Sequence, residues 1–203
     1  MTALGRIFDP EKLTDDERTV WPYMVTHYVQ TIPKTVVAAV ILPALEELRK
    51  HFISEETFTE IANECDLVPR GRELLFGKAL YAGYNGDFIT ALHLLVPQLE
   101  HMVRSQLQLQ GVRTTALEDE GIEREKALGS LMELPQVKGI LGEDMAFEIR
   151  ALMCDPFGPN IRNELAHGLL ELGTFESEYA IYAWWLGLRL VFFSRDKTIS
   201  QIA

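Results

Sequence analysis

The chain has 203 residues, with 19 Lys and Arg against 30 Asp and Glu, a net charge of −11, and 47% hydrophobic and 24% charged residues. These are the proportions of a soluble globular protein; a chain of this length buries roughly 70% of its unfolded surface and needs no disulfide or metal staple. The acidic balance excludes a protein whose whole surface tracks nucleic acid, because such domains are strongly basic, and leaves room only for a local basic site.

From the N-terminus, Thr14-Asp15-Asp16-Glu17 reads as a capping box. It predicts a helix to about Thr31, bent at Pro22, with a second helix from Pro33 to about His51. Ser54 is placed to cap a short third helix ending near Cys65. A connector through Pro69 and Gly71 precedes a helix to Tyr84, and Asn85-Gly86-Asp87 reads as a turn. Residues 88–110 carry Leu92, Leu95, Leu99, Met102, Val103 and Leu107 at helical spacing. Residues 111–121 read as a polar loop, and helices are expected at 122–133, 144–154, 160–172 and 176–193. No segment alternates with period two, so the fold class is all-α. Residues 1–66 form an N-terminal helical region expected to pack on a core of residues 67–203.

Two apolar runs, 35–45 and 181–193, are shorter than the roughly twenty residues a membrane span needs and are expected to be buried core helices. With no secretory hydrophobic segment, and with Cys65 and Cys154 far apart, the expectation is a cytoplasmic protein with no membrane partner and no disulfide.

There is no P-loop, no glycine-rich dinucleotide fingerprint, no GxSxG, no HExxH and no CxxC. None of the histidines lies three or four residues from another, so no metal site and no cofactor are expected. The informative stretch is residues 157–170. Asn160 is a candidate N-cap, and Arg162 in the first helical turn opposes the helix dipole, a local rule broken without visible gain. Asn163 and His167 are four apart and share one helix face, with Arg162 about 100° round. An Arg fork near a helix N-terminus suits a phosphate, and a histidine titrates near neutrality. These are the parts needed to cleave a phosphodiester without metal. The bland alternative is that Arg162 pairs with a carboxylate such as Glu100 and that His167 is an ordinary helix residue.

Arg162-Asn163-x-x-x-His167-Gly168 resembles the RNxxxHG motif of a domain family within the HEPN superfamily (higher eukaryotes and prokaryotes nucleotide-binding). The resemblance extends over residues 68–73, 81–88, 93–104, 157–170 and 184–190, roughly 65 to 195 in all. It implies a four- or five-helix bundle that dimerises through the motif helices. It further implies a metal-independent endoribonuclease, with a role in stress response or phage defence, or else an inactive module for nucleotide or protein binding and dimeric assembly. On the first reading the RNA 2′-hydroxyl attacks the adjacent phosphorus to leave a 2′,3′-cyclic phosphate, so DNA is not a substrate. His167 transfers protons, Arg162 stabilises the transition-state charge, and Asn163 orients His167 or meets the phosphate.

Glu100 and Arg104 form an i,i+4 pair that either supports Arg162 and the substrate or is a structural ion pair. His93 falls near the same face and is read, with His101, as packing or surface. Tyr179, Tyr182, Trp184 and Trp185 offer base stacking or, more simply, core packing, and Arg70, Arg72 and Lys78 are the nearest thing to a basic cluster. The acidic runs 118–120 and 123–125 are expected to lie away from any RNA groove.

Overall fold

The computed structural model describes residues 15–117 and 121–194. It is 70% helical and 4% strand, so the all-α expectation holds at the level of class.

Its centre is a hairpin of α4 (Glu73–Tyr84) and α5 (Phe88–Leu109). The turn between them needs a left-handed residue, which Gly86 supplies with φ +89°, and Asp87 caps α5 by accepting from the Thr90 amide at 3.0 Å. One face of α5 is sealed by Leu92, Leu95, Leu99, Met102 and Leu107, each at or below 1% exposure. The last helix, α11 (Glu178–Phe193), crosses both members of the hairpin. It approaches α4 where Gly83 has no side chain: a Cβ there would lie 2.3 Å from the Trp184 ring. That gap seats Trp184, whose indole N–H donates to the Leu80 carbonyl at 3.0 Å. Trp184 is thus core, as one member of the adjacent pair had to be, while Trp185 is half-buried beside it. The apolar run 181–193 is a core helix as expected, with Tyr182, Ala183, Leu186, Leu190 and Val191 buried.

The N-terminal region differs from its expectation. The capping box begins at Thr14, outside the described residues. One helix, α1 (Asp15–Val36), runs through both Pro22 and Pro33, then passes by a π-helical turn (Val37–Ile41) into α2 (Leu42–Leu48). The wide turn precedes Pro43, whose ring would collide with a carbonyl of an ordinary α-turn. Buried positions recur every fourth residue, at Val25, Val29, Pro33, Val37, Ile41 and Leu45. A strict four-residue repeat drifts around an α-helix, and the wider turn takes up part of that drift. The run 35–45 is therefore buried along one stripe only: Val40 and Leu42 are exposed, contrary to the buried-helix expectation. α3 (Glu55–Asn63) is capped by Ser54, which accepts from the Thr57 amide at 3.4 Å, and packs on α4.

Within the polar loop expected at 111–121 and the helix expected at 122–133, residues 115–117 and 123–125 instead form a small antiparallel ribbon. β1 (Thr115–Leu117) pairs with β2 (Glu123–Glu125) in the register Thr115↔Glu125, Ala116↔Arg124, Leu117↔Glu123. Cross-strand charge holds it, with Arg113 on Glu123 at 2.7 Å, and helix begins only at α6 (Leu128–Met132). Next come α7 (Gln136–Leu141), which the sequence pattern did not predict, and α8 (Glu143–Met153), as expected; after the motif helix α9 (Ile161–Ala166) a short α10 (Leu172–Phe175) leads into α11.

Candidate functional site

A clamped loop launches the motif helix α9 (Ile161–Ala166). Asp155, only 3% exposed, accepts the Trp21 indole N–H at 2.7 Å on one oxygen and the Phe157 amide at 3.0 Å on the other. Arg150 lies over the Trp21 ring, 4.3 Å from its centroid. Gly158 presses against α8, where a Cβ would sit 1.9 Å from the Ala151 carbonyl oxygen. Fully buried Ile161 then anchors the first turn, and Arg162 points at α5.

Asn160 occupies the N-cap position, but its side chain does not cap. Its backbone is left-handed, with φ +52°, and its side chain turns to its neighbours. Asn160 Oδ1 accepts from Asn163 Nδ2 at 2.7 Å, and its Nδ2 donates to Glu164 at 3.3 Å. Asn163 Oδ1 in turn accepts from Arg162 Nη1 at 3.1 Å. The Asn163 side chain thus holds Arg162, and its backbone carbonyl accepts the His167 amide at 3.1 Å; its expected roles are orienting His167 or meeting the phosphate, and no side-chain bond to the His167 ring is formed among the described residues.

The helix is half the expected length because Gly168 stops it. Gly168 has φ +67°, its amide bonds the Leu165 carbonyl at 3.1 Å, and the Leu169 amide bonds the Glu164 carbonyl at 2.8 Å. This is a Schellman cap, a conformation in which glycine is favoured, so the final glycine of the motif has a backbone role. It leaves His167 as the C-cap, exposed, with no hydrogen-bond or ion-pair partner for its ring among the described residues.

Arg162 Nε donates to Glu100 Oε2 at 2.7 Å, and Arg104 Nη2 donates to Glu100 Oε1 at 2.8 Å. Glu100 thus bridges two arginines, and all three side chains are largely buried, at 14, 13 and 21% exposure for Glu100, Arg104 and Arg162. Burial alone would raise the Glu100 pKa, but the two guanidinium partners outweigh it and hold the carboxyl below its ordinary value. Arg104 also donates to the Lys126 carbonyl at 2.7 Å. Glu125 Oε2 lies 2.9 Å from Arg104 Nε, off the N–H axis, so this contact is one of charge rather than a directed hydrogen bond. The ribbon therefore brings one acidic residue to the site, correcting the expectation that residues 123–125 lie away from it; residues 118–120 fall outside the described residues.

Glu100, Arg104 and Arg162, with Val96, Pro97, Leu165 and Ala166, line a cavity of about 310 Å³. Asn163 and His167 are not among the residues lining this cavity. His93 is elsewhere: its Nδ1 meets the Ile89 carbonyl at 2.8 Å and its ring stacks on Phe175 at 5.3 Å. Among the described residues no group of three His, Cys, Asp or Glu side chains is placed to hold a metal.

Sequence reasoning missed Glu125 and the Lys126 carbonyl, because nothing local links a ribbon to a helix more than twenty residues earlier. It also missed Cys154, whose thiol burial pushes up to about 12, with Arg162 opposing that shift and Glu100 reinforcing it. His101 is lowered by burial and by the charges of Arg72 and Arg104, which puts Arg72 within electrostatic reach of this cluster. The chain matches no family model, no curated protein and no solved structure.

Proposed function

We propose that the chain is a HEPN-type endoribonuclease that cleaves RNA without metal, in a cleft shared by two copies meeting at their motif helices. One observation carries the reading: His167 is exposed and unengaged at the end of a short helix whose first turn holds Arg162 over a cavity. An imidazole can serve as a general acid or base, and a fixed guanidinium can meet a phosphoryl oxygen. Because His167 is outside the cavity of its own chain, the composite cleft supplies it from the other copy.

In that cleft the 2′-oxygen forms a bond to phosphorus while the bond to the 5′-oxygen breaks. One His167 accepts the 2′-hydroxyl proton, and its mate protonates the departing 5′-oxygen. The products are a 2′,3′-cyclic phosphate and a 5′-hydroxyl, and no water is consumed. Asn163 holds Arg162 and is itself held by Asn160.

The test is release of cyclic-phosphate ends from single-stranded RNA in the presence of EDTA, with single-stranded DNA as the negative substrate. Loss of product in His167→Ala and Arg162→Ala is expected; equal product from wild type and His167→Ala overturns the reading. A second reading, a non-catalytic module for nucleotide or protein binding, is favoured by the bonds that Arg162 already makes to Glu100 and Asn163.

A further inference from the structure

Arg104 and Arg162 line one cavity whose wall, Glu100 apart, is apolar. Glu100 sets the two guanidinium groups side by side, one on each of its oxygens. A guanidinium has five N–H donors. Arg162 commits two of them, to Glu100 and Asn163, and Arg104 commits two, both on Nη2, to Glu100 and the Lys126 carbonyl. Arg104 Nε is buried and donates no hydrogen bond among the described residues, although Glu125 Oε2 is 2.9 Å away. A buried donor without an acceptor is costly, and two like charges side by side call for an anion. The two carboxylates that answer this call are held unequally. Glu100 is 14% exposed and gripped by both arginines. Glu125 is 53% exposed, on a strand whose three residues are all exposed, in a ribbon of two strands. Apart from its contact with Arg104, its carboxylate accepts one long hydrogen bond among the described residues, from the Thr114 hydroxyl at 3.3 Å.

We infer that Arg104 is a second phosphoryl-binding residue of this cavity, and that the Glu125 carboxylate is the internal competitor a phosphoryl group displaces. The inference rests on the proposed function for that group being part of an RNA strand. Glu100 stays, because removing it would leave two largely buried guanidinium groups without their shared partner. Glu125 leaves at little cost, because a half-exposed carboxylate regains water as it lets go. With both carboxylates in place, the four side chains are formally neutral. Without Glu125 they carry one net positive charge beside apolar walls, where screening is weak. The bond to the Lys126 carbonyl does not involve Glu125, so it keeps Arg104 in position when that carboxylate departs. A phosphodiester has two non-bridging oxygens, one for each guanidinium. The ribbon thus sets the affinity of the site: its backbone positions Arg104 and its carboxylate opposes the ligand.

Binding of a 2′-O-methyl oligoribonucleotide, which has no free 2′-hydroxyl to attack, tests this by fluorescence anisotropy at low salt. Glu125→Gln and Glu123→Gln change the net charge of the chain equally. Each removes one arginine's contact on the same ribbon strand, that of Arg104 at the cavity or that of Arg113 on the surface. Glu125→Gln is expected to bind about three- to tenfold more tightly than the wild type, and Glu123→Gln to change binding by less than about twofold. The gain is expected to vanish when Arg104→Gln is added to Glu125→Gln, with helical circular dichroism unchanged. If Arg104→Gln misfolds, the comparison of the two glutamate variants still decides. Equal gains in those two variants, a gain that survives Arg104→Gln, or no binding by either the wild type or Glu125→Gln each overturns the proposal. Binding is read apart from cleavage. No cyclic-phosphate release from unmodified RNA, with the Glu125→Gln gain present, sinks the endoribonuclease and leaves the two-arginine site standing; cleavage with equal gains does the reverse.

Discussion

Replacing Glu100 by Gln tests the centre of the site. The substitution keeps the shape and one acceptor oxygen but leaves Arg104 and Arg162 without the carboxylate that bridges them at 2.8 and 2.7 Å. Removing one partner of a buried ion pair costs about 3–5 kcal/mol. The two arginines retain 13 and 21% exposure, and the amide still accepts, so the expected loss is about 2 kcal/mol. In a chain of this size that lowers the melting temperature by about 4–8 °C. The pH dependence has a definite sign. The folded-state pKa of Glu100 is depressed, so its contribution is present above the ordinary carboxylate value, near pH 4.5, and lost as pH falls through the folded value. Urea unfolding should show the full difference between wild type and Glu100→Gln at pH 7 and a shrinking one below about pH 4. Adding Arg162→Met to Glu100→Gln should cost less than the sum of the single changes, by about 1 kcal/mol. A difference below about 0.3 kcal/mol at pH 7, or one that persists undiminished at pH 3, refutes the bridging role.

Gly158→Ala drives a methyl into the Ala151 carbonyl, 1.9 Å away, and should destabilise by more than about 3 kcal/mol; Gly129→Ala, whose nearest neighbour is 3.6 Å away inside α6, should be neutral or stabilising. Urea midpoints rank the two, and equal midpoints refute the packing argument. Trp21→Phe leaves buried Asp155 without its 2.7 Å donor and should cost about 2–3 kcal/mol by the same measurement, with no change refuting a clamp on the motif loop. With its thiol at about 12, Cys154 should alkylate with iodoacetamide at pH 8 about a thousandfold slower than a free cysteine; peptide mapping by mass spectrometry reads it, and rapid native labelling refutes the burial.

The helices whose apolar residues recur with a period near 3.6, α5 and α11, were legible in the sequence because one face of each is buried along its length. The capped starts were legible for the same local reason, as at Ser54. The failures are tertiary. Residues 122–127 carry helix-forming Glu, Arg and Lys, but Arg104 draws in both the Lys126 carbonyl and the Glu125 carboxylate, and the Lys126 amide bonds the Thr114 carbonyl at 2.9 Å, which holds them extended. At the motif, the spacing predicted too long a helix, because Gly168 reads equally as a tolerated interior glycine or as a stop. The pairing of Arg162 with Glu100, across 62 positions, was one of two open readings, since a sequence offers many carboxylates and no distances.

The net charge of −11 bears on this pairing. Around the cavity, Arg104 and Arg162 are matched by Glu100 and Glu125, so the cluster is formally neutral. On the proposed function, a phosphate reaching Arg162 gains a guanidinium only by competing with Glu100, and gains little from a chain whose net charge is −11. Affinity for an RNA backbone at large is then expected to gain little from Arg104 and Arg162, because carboxylates already neutralise both. The same pairing pre-orients Arg162: its Nε is fixed by Glu100 and one Nη by Asn163, which leaves the rest of the fork to face a ligand without the entropy of ordering a long side chain. Glu100 thus weakens encounter and sharpens geometry at once, and a site built this way discriminates by fit at one phosphate rather than by attraction along many.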